Sequence, residues 1–356
     1  MQIEGVKING FRNIASADVT LNHDLNVFYG NNGQGKTNFL EAVYLCASGR
    51  SWRTKSDKDL VGFNEKEAFL YTKVSCNGIY DDISINIKKD EKKIISVNRQ
   101  QVKKLGDLLG TLLIVVFSPD DLVLVKSGPS ERRKFMDVEL CQLYKLYYYE
   151  LKQYYHVLRQ RNNLLKSLKK DDELKNTIDI WDEVITRHGI KIMGYRADFI
   201  SRVNDTAEKI HYEISDNKEK LKIIYKPNVS EKEYRAKLVK TLDRDIQLGT
   251  TTVGVHKDEI VYLINNQDAR AYASQGQQRL ACLSSKLAEV EIIKEEKKED
   301  PILLLDDVFS EFDSTRQKFL LKYIKNIQTL ITVTNAEKFK DRGFLFKVDG
   351  GVILCE

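Results

Sequence analysis

Apolar and polar positions along this chain follow two different rhythms, and the change of rhythm divides it into three stretches. In the first, Leu25–Tyr29 is a short apolar run ending in a glycine-rich turn, and a helix is expected over residues 38–47. Residues 69–97 alternate apolar and polar, as in YTKVSC and ISINIKK. Turn signals at Asn77-Gly78 and near Asp90 make them hairpin strands. The run LLIVVF (112–117) reads as a fully buried strand closed by Ser118-Pro119.

After Pro129 the period lengthens. No proline occurs until Pro227, and the only glycines between are Gly189 and Gly194. Leu143, Tyr147, Leu151, Tyr154, Leu158 and Leu165 recur at three-, four- and seven-residue steps, the stripe of a long amphipathic helix. Trp181, Val184, Ile185, His188, Ile192, Tyr195, Phe199 and Val203 predict a second. A third is expected at Ser230, where Glu233 completes a capping box. From Thr251 the strand rhythm returns: TTVGVH, then EIVYLIN with a turn at Asn265-Asn266. A helix from about Gly276, a buried strand ILLL (302–305), a helix over 314–324 and a strand TLITV (329–333) complete the pattern. Strands alternating with helices at both ends indicate an α/β fold, a doubly wound sheet with additional antiparallel strands, interrupted by a mostly helical arm. The expected division is a first head segment over 1–125, an arm over 126–249 and a second head segment over 250–356.

Composition adds limits. With 356 residues and 42% hydrophobic content, the chain can bury a large core. Cys46, Cys76, Cys141, Cys282 and Cys355 are odd in number and widely spaced, so reduced thiols are expected. The start MQIEGVKING lacks a signal-peptide pattern, and the longest apolar run is the six residues 112–117, far below a membrane span of about 20. A soluble protein of the cytoplasm, without a membrane partner, is expected. The 57 Lys and Arg nearly balance 52 Asp and Glu, giving net +5. The excess is local: residues 126–170 hold 11 cations against Glu131, Asp137, Glu139 and Glu150, net +7, leaving the rest slightly acidic. Tyr144, Tyr147, Tyr148, Tyr149, Tyr154 and Tyr155 are interleaved there. Base stacking and phosphate contact, led by Arg132, Arg133 and Lys134, are one reading, and a solvated helix face over packed tyrosines is the other.

Three motifs carry chemistry. Gly30-Asn31-Asn32-Gly33-Gln34-Gly35-Lys36-Thr37 fits G-x-x-x-x-G-K-[ST] between a strand and a helix. Its amides are expected to wrap the phosphates of ATP, Lys36 to reach the β and γ phosphates, and Thr37 to sit on Mg²⁺. The strand Ile302–Leu305 delivers Asp306 toward Mg²⁺, and Asp307 follows as the residue placed to act on the attacking water. Between them, Ser274-Gln275-Gly276-Gln277-Gln278-Arg279 opens a helix, where bare N–H groups form an anion site.

In that order the motifs resemble those of ABC and SMC ATPases, with Ser274 and Gly276 in a signature that closes over ATP held by a second protomer, and Ser310–Asp313 as the D-loop. The resemblance narrows to the RecF family, whose segments are similar to Phe11-Arg12-Asn13, Gly49–Thr54, Phe117–Leu122, Ser127–Pro129 with Arg132-Arg133, Arg161-Asn162, Gly254–Asp258, SQGQQR and LLLDDVFSEFD. His256-Lys257 departs from the family's usual His-Arg. The resemblance implies an ATPase head, an ATP-dependent homodimer, DNA binding (single-stranded, gapped and duplex), and work with RecO and RecR in loading RecA. It also implies support of replication restart and SOS induction, and nucleotide contacts from Arg12 and Asn13. A transporter nucleotide-binding subunit and an SMC-like structural ATPase are the alternatives. The first has a shorter insertion and LSGGQ, and the second needs hundreds of residues of heptads.

Overall fold

A computed structural model describes residues 1–169 and 177–356, the Asp120 side chain excepted. Lys170, last of the eleven cations counted above, lies outside the described residues. The chain forms two compact units, Met1–Asp121 with Glu289–Glu356, and Leu122–Ala288.

The first unit contains two sheets. One is antiparallel, built from β1 (Gln2–Phe11), β2 (Ile14–Thr20), β4 (Glu67–Cys76), β5 (Ile79–Lys88), β6 (Ile94–Val97) and β7 (Gln100–Gln101) in the order β2-β1-β4-β5-β6-β7. The β4–β5 turn falls at Asn77-Gly78 as the sequence predicts. The other sheet is largely parallel: β8 (Ile114–Phe117), β12 (Ile302–Asp306), β13 (Thr329–Val333), β3 (Leu25–Tyr29) and β14 (Phe344–Asp349) are neighbours, and β15 (Val352–Cys355) adds an antiparallel edge. Every residue of β12 is buried, as expected of a strand covered on both faces. Helix α1 (Lys36–Ser48) follows β3 and packs Phe39, Leu40, Val43 and Cys46 into the core.

The second unit holds α2 (Val123–Lys126), α3 (Pro129–Leu143), α4 (Lys145–Leu168), α5 (Ile178–Ile214), α6 (Tyr234–Lys240), α7 (Leu242–Leu248) and α8 (Ala269–Tyr272). It also holds a small sheet ordered β11-β10-β9, from β9 (Leu221–Lys226), β10 (Glu259–Ile264) and β11 (Gln267–Asp268). Helix α9 (Gln275–Lys297) begins in this unit, and its turns from Glu289 on belong to the first. The division therefore falls after Ala288 rather than at residue 250. The reason is pairing: β10 is hydrogen-bonded to β9, a strand inside the expected helical arm, so residues 250–288 fold with the arm.

Three local expectations are corrected. The long stripe breaks at Tyr144, so Leu143 ends α3 and the rest belongs to α4. Ser230 Oγ donates to Glu233, but the two close a turn and the helix starts at Tyr234. TTVGVH is not a strand; it is a loop and a single 3-10 turn around a buried polar core.

That core explains the segment. Arg196, fully buried on α5, donates to Asp137, Asp258, the Val255 carbonyl and the Tyr147 hydroxyl at 2.6–3.1 Å. Arg161, fully buried on α4, donates to Asp182, Asp245 and Thr251 at 2.6–2.9 Å. Pairing of Glu150 with His188 and Lys191, and of Arg161 with Asp182, sets α4 and α5 antiparallel. Gly254 has φ +134°, and a Cβ there would collide with the Tyr154 and Tyr234 hydroxyls. The Tyr154 hydroxyl lies 2.7 Å from His256 Nδ1, and His256 Nε2 lies 3.0 Å from the Thr251 carbonyl. A carbonyl only accepts, so Nε2 carries the proton and Nδ1 accepts from Tyr154.

Burial pushes the His256 imidazole down to about 4, against the pull of the Thr251 carbonyl. The unfolded chain, near 6.5, binds a proton through that interval and the folded one does not. Stability is full above about pH 6.5 and falls as pH is lowered toward 4, by about 3 kcal/mol from this group. Denaturant unfolding of wild type and His256→Asn between pH 7 and 4.5 reads the effect. An equal slope in both proteins contradicts it.

Candidate nucleotide site and signature helix

The parallel sheet carries the first constellation. Glycines with positive φ at 33 and 35 turn the chain after β3, and a Cβ on Gly35 would sit 2.8 Å from Asn13 Oδ1. Asn13 in turn accepts from Asn38 at 2.8 Å and donates to the Gly33 carbonyl at 3.4 Å, bracing the loop from β1–β2. Lys36 Nζ donates to the carbonyls of Gly30 and Asn31 at 2.6 and 2.9 Å. Gln34 receives the Gly350 and Gly351 amides, tying the loop to the β14–β15 turn.

Thr37, in the first turn of α1, donates to Asp306 Oδ1 at 2.8 Å. Thr332 on β13 donates to the same oxygen at 2.7 Å and accepts the Asp307 amide at 2.9 Å. Asp307 has φ +52°, a left-handed conformation that turns it away from the strand direction. Together Asn32, Gly33, Gly35–Asn38, Arg53, Asp306, Asp307 and Thr332 line a cavity of about 330 Å³. Burial pushes the Lys36 ammonium below its ordinary value, opposed by Asp307 and then Asp306. Burial likewise raises Asp306, opposed by the Thr332 and Thr37 hydrogen bonds and the Arg53 charge. Two oxygens, Thr37 Oγ1 and Asp306 Oδ1, converge as a hard divalent cation requires, so the residues present fit Mg²⁺.

Arg12 is not among the residues that line this cavity. Its guanidinium makes two bonds to Glu41, at 2.9 and 3.1 Å, and Glu41 also accepts from Ser51 and Arg53. Glu41 is fully buried, and sequence reasoning missed it. The available signal was a carboxylate at i+4 from Thr37 inside the apolar run NFLEAVYL. Thr332 was missed too, although it is the one polar side chain in the inner part of TLITV. Of the two arginines in the 49–54 segment, the structure places Arg53 on the cavity wall, held by Asn38 at 2.7 Å.

The signature folds in the second unit. Ser274 and Gln277 form a reciprocal cap: the Gln277 amide donates to Ser274 Oγ at 3.2 Å, and the Ser274 amide donates to Gln277 Oε1 at 2.9 Å. Gln278 reaches back to the carbonyls of Ala269 and Ala273, fixing α9 to the end of α8. Ser274 is exposed, and a Cβ on Gly276 would meet nothing nearer than 3.9 Å, so the helix start presents an open surface. In the D-loop, Asp313 caps α10 (Ser314–Tyr323) through the amides of Thr315 and Arg316.

The basic segment divides. Arg132 is buried and bidentate to Glu259 at 2.8 and 2.9 Å, so it is a packing residue and not a free phosphate contact. Arg133 is half-buried on the Asp258 carbonyl, and Lys134 is exposed. Tyr147 and Tyr154 are fully buried in the polar core, which removes them as stacking platforms. The remaining cations of α4 show an order not evident in the charge count. Lys145, Lys152, Arg159 and Lys166 recur every seven residues and are all exposed. Tyr147, Tyr154, Arg161 and Leu168 recur every seven and are all buried. Two residues are about 200° around a helix, so the sets occupy opposite faces.

The fold and the P-loop with its paired aspartates define an ATPase head of the SMC type. The RecF/RecN/SMC N terminal domain family matches residues 2–349. The DNA replication and repair protein RecF of Lachnoclostridium phytofermentans is 42% identical over 339 residues, covering 95% of this chain and 94% of the relative. That of Clostridium tetani is 42% identical over 364 residues, covering 99% of each. A solved structure of the recombination mediator protein RecF-ATP in the RecFOR pathway matches with TM-score 0.94 at 35% identity, covering 100% of this chain and 97% of that one. An Smc head bound to the C-winged helix domain of ScpA matches at TM-score 0.59 and 15% identity, a likeness of fold. The chain belongs to the RecF family.

Proposed function

We propose that this chain is an ATP-switched DNA-binding protein of recombinational repair and replication restart, acting with RecO and RecR in RecA loading and supporting SOS induction. ATP binding joins two copies, and slow, DNA-stimulated hydrolysis resets them. The observation that carries the reading is the meeting of Thr37 and Asp306 at 2.8 Å beside Lys36, in a chain of the RecF family. The loop amides and Lys36 hold the phosphates; Thr37 and Asp306 would hold Mg²⁺, which when bound neutralises phosphate charge. Asp307 orients the attacking water. Ser274, exposed, and Gly276, at the start of α9, close over the nucleotide of the partner copy. The test is sizing with and without ATP and Mg²⁺, in the presence and absence of DNA. Conversion of monomer to dimer by ATP is expected, and a mass indifferent to ATP sinks the switch.

In this reading α4 carries the DNA surface. Lys145, Lys152, Arg159 and Lys166 form a cationic stripe of about 30 Å, and Lys134 on α3 is also exposed. Glu150, the one carboxylate on α4, is committed to His188 and Lys191. Changing the four α4 cations to Gln lowers the salt slope of duplex binding by roughly 2–4, since each phosphate contact contributes about 0.9. All sequences weaken alike, because phosphate contacts carry no base information. Arg132→Ala does something else: it leaves Glu259 without its partner and costs about 2 kcal/mol of stability with the slope unchanged. DNA affinity against salt, with and without ATP, separates the two. An unchanged slope in the four-site variant returns the stripe to a solvated face.

A further inference from the structure

The signature carries one connection that the trans-closing role of Ser274 does not use. Gln277 Oε1 is committed to the Ser274 amide, which leaves Nε2 as a donor, and it donates to Glu219 Oε1 at 2.9 Å. The orientation of the amide group is fixed by chemistry: flipped, it would set a donor against the Ser274 N–H and an acceptor against a carboxylate. Glu219 lies in the connection between α5 and β9. Its backbone amide donates to Ser215 Oγ at 3.2 Å, and its Oε2 lies 3.2 Å from Nε2 of fully buried His211, in the last turn of α5. His211 Nδ1 lies 3.2 Å from Ser284 Oγ on α9, two turns beyond Gln277. One carboxylate therefore grips both the C-terminal end of the long arm helix and the residue that orients the signature serine.

We propose that Glu219 is a positioning residue for ATP-driven dimerisation: through Gln277 it fixes the Ser274 hydroxyl and the first turn of α9 in the conformation that closes on the partner's nucleotide. The proposal rests on the trans reading of the signature given above. Glu219 touches no substrate in this role. It acts by removing the freedom of a helix start that would otherwise be ordered only when the dimer forms, at a cost in affinity.

The polarity of the contact supplies the test. Gln277→Glu keeps the cap, because a carboxylate oxygen accepts the Ser274 amide equally well, but it turns the other oxygen against Glu219. Glu219→Gln in the same chain restores one donor and one acceptor with the polarity reversed. The dimerisation constant in ATP is measured by analytical ultracentrifugation for Glu219→Ala, Gln277→Glu and the Glu219→Gln/Gln277→Glu pair, alongside melting temperature and nucleotide affinity at concentrations too low for dimers. Each single change is expected to weaken dimerisation about tenfold, the size of one charge-assisted hydrogen bond, and the pair to recover most of it. Nucleotide affinity of the monomer stays that of the P-loop. Folded single variants that dimerise as wild type overturn the proposal, as does a pair that melts normally and fails to recover. Ser274→Arg is the control for the underlying reading. If it dimerises normally the trans signature is wrong; if it is blocked while the Glu219 and Gln277 variants are not, only the positioning role falls.

Discussion

Lys36→Met is expected to bind ATP at least about a hundredfold more weakly than wild type, because two charge-assisted contacts to the phosphates disappear together. The effect exceeds that of any other change in the cavity for a structural reason. Lys36 Nζ already sits inside the loop, on the Gly30 and Asn31 carbonyls, so its charge is delivered to the phosphates with little reorganisation. Its burial also means that methionine, of similar length and without charge, leaves the loop packing in place. Asp306→Asn is the contrasting case. An amide oxygen still accepts from Thr37 and Thr332, so nucleotide binding is partly kept, while Mg²⁺-dependent hydrolysis is lost. Calorimetric titration of ATP into both variants checks the pair. Wild-type affinity in the lysine variant contradicts the assignment of the cavity.

Much of this site was legible in the sequence because its geometry is local. The P-loop is eight consecutive residues between a strand and a helix, and the aspartates end an unbroken aliphatic strand. Backbone turns and strand ends put such residues in place with little help from the rest of the fold. What the sequence concealed is long-range. Glu41 gathers Arg12 from one segment and Ser51 and Arg53 from another, and Thr332 joins Asp306 and Asp307 only because β13 lies next to β12. Neither partnership leaves a spacing to read.

In the arm the charge is visible in the sequence, but its meaning depends on helical phase. Eleven cations in one segment suggest a single basic surface, but helical phase separates them. Arg161 falls two heptads after Tyr147, on the buried face, and its charge is spent on Asp182 and Asp245. Lys145, Lys152, Arg159 and Lys166 fall on the other face. The strand expected at TTVGVH failed for a related reason. Its alternation of apolar side chains is real, and Val253 and Val255 are buried, but Gly254 at φ +134° and the bonds to Tyr154, Arg161 and Arg196 bend the backbone around a polar core. The Gly254–Asp258 segment is thus the hub that holds the arm together.

If Ser274 serves the nucleotide of a partner copy, two inactive proteins should make one active site when mixed. Lys36→Met lacks a working P-loop and keeps its signature. Ser274→Arg keeps its P-loop and places a bulky cation on the exposed start of α9, where serine now caps the helix through Gln277. In a mixed dimer, the P-loop of the serine variant faces the signature of the lysine variant, and that site is intact; the other combines both defects. Isologous pairing of two copies generates both sites at once, and neither variant forms an ATP-closed dimer with itself, so equimolar mixing is expected to restore at most about half of wild-type turnover. Each variant alone stays near the background rate. Adding Asp307→Asn to the serine variant places the missing water-orienting group in the one intact site. That mixture should dimerise on ATP and persist without hydrolysis. The measurement is phosphate release and dimer lifetime for the separate and mixed proteins. A signature acting on its own chain's nucleotide would leave the mixture as inactive as its parts.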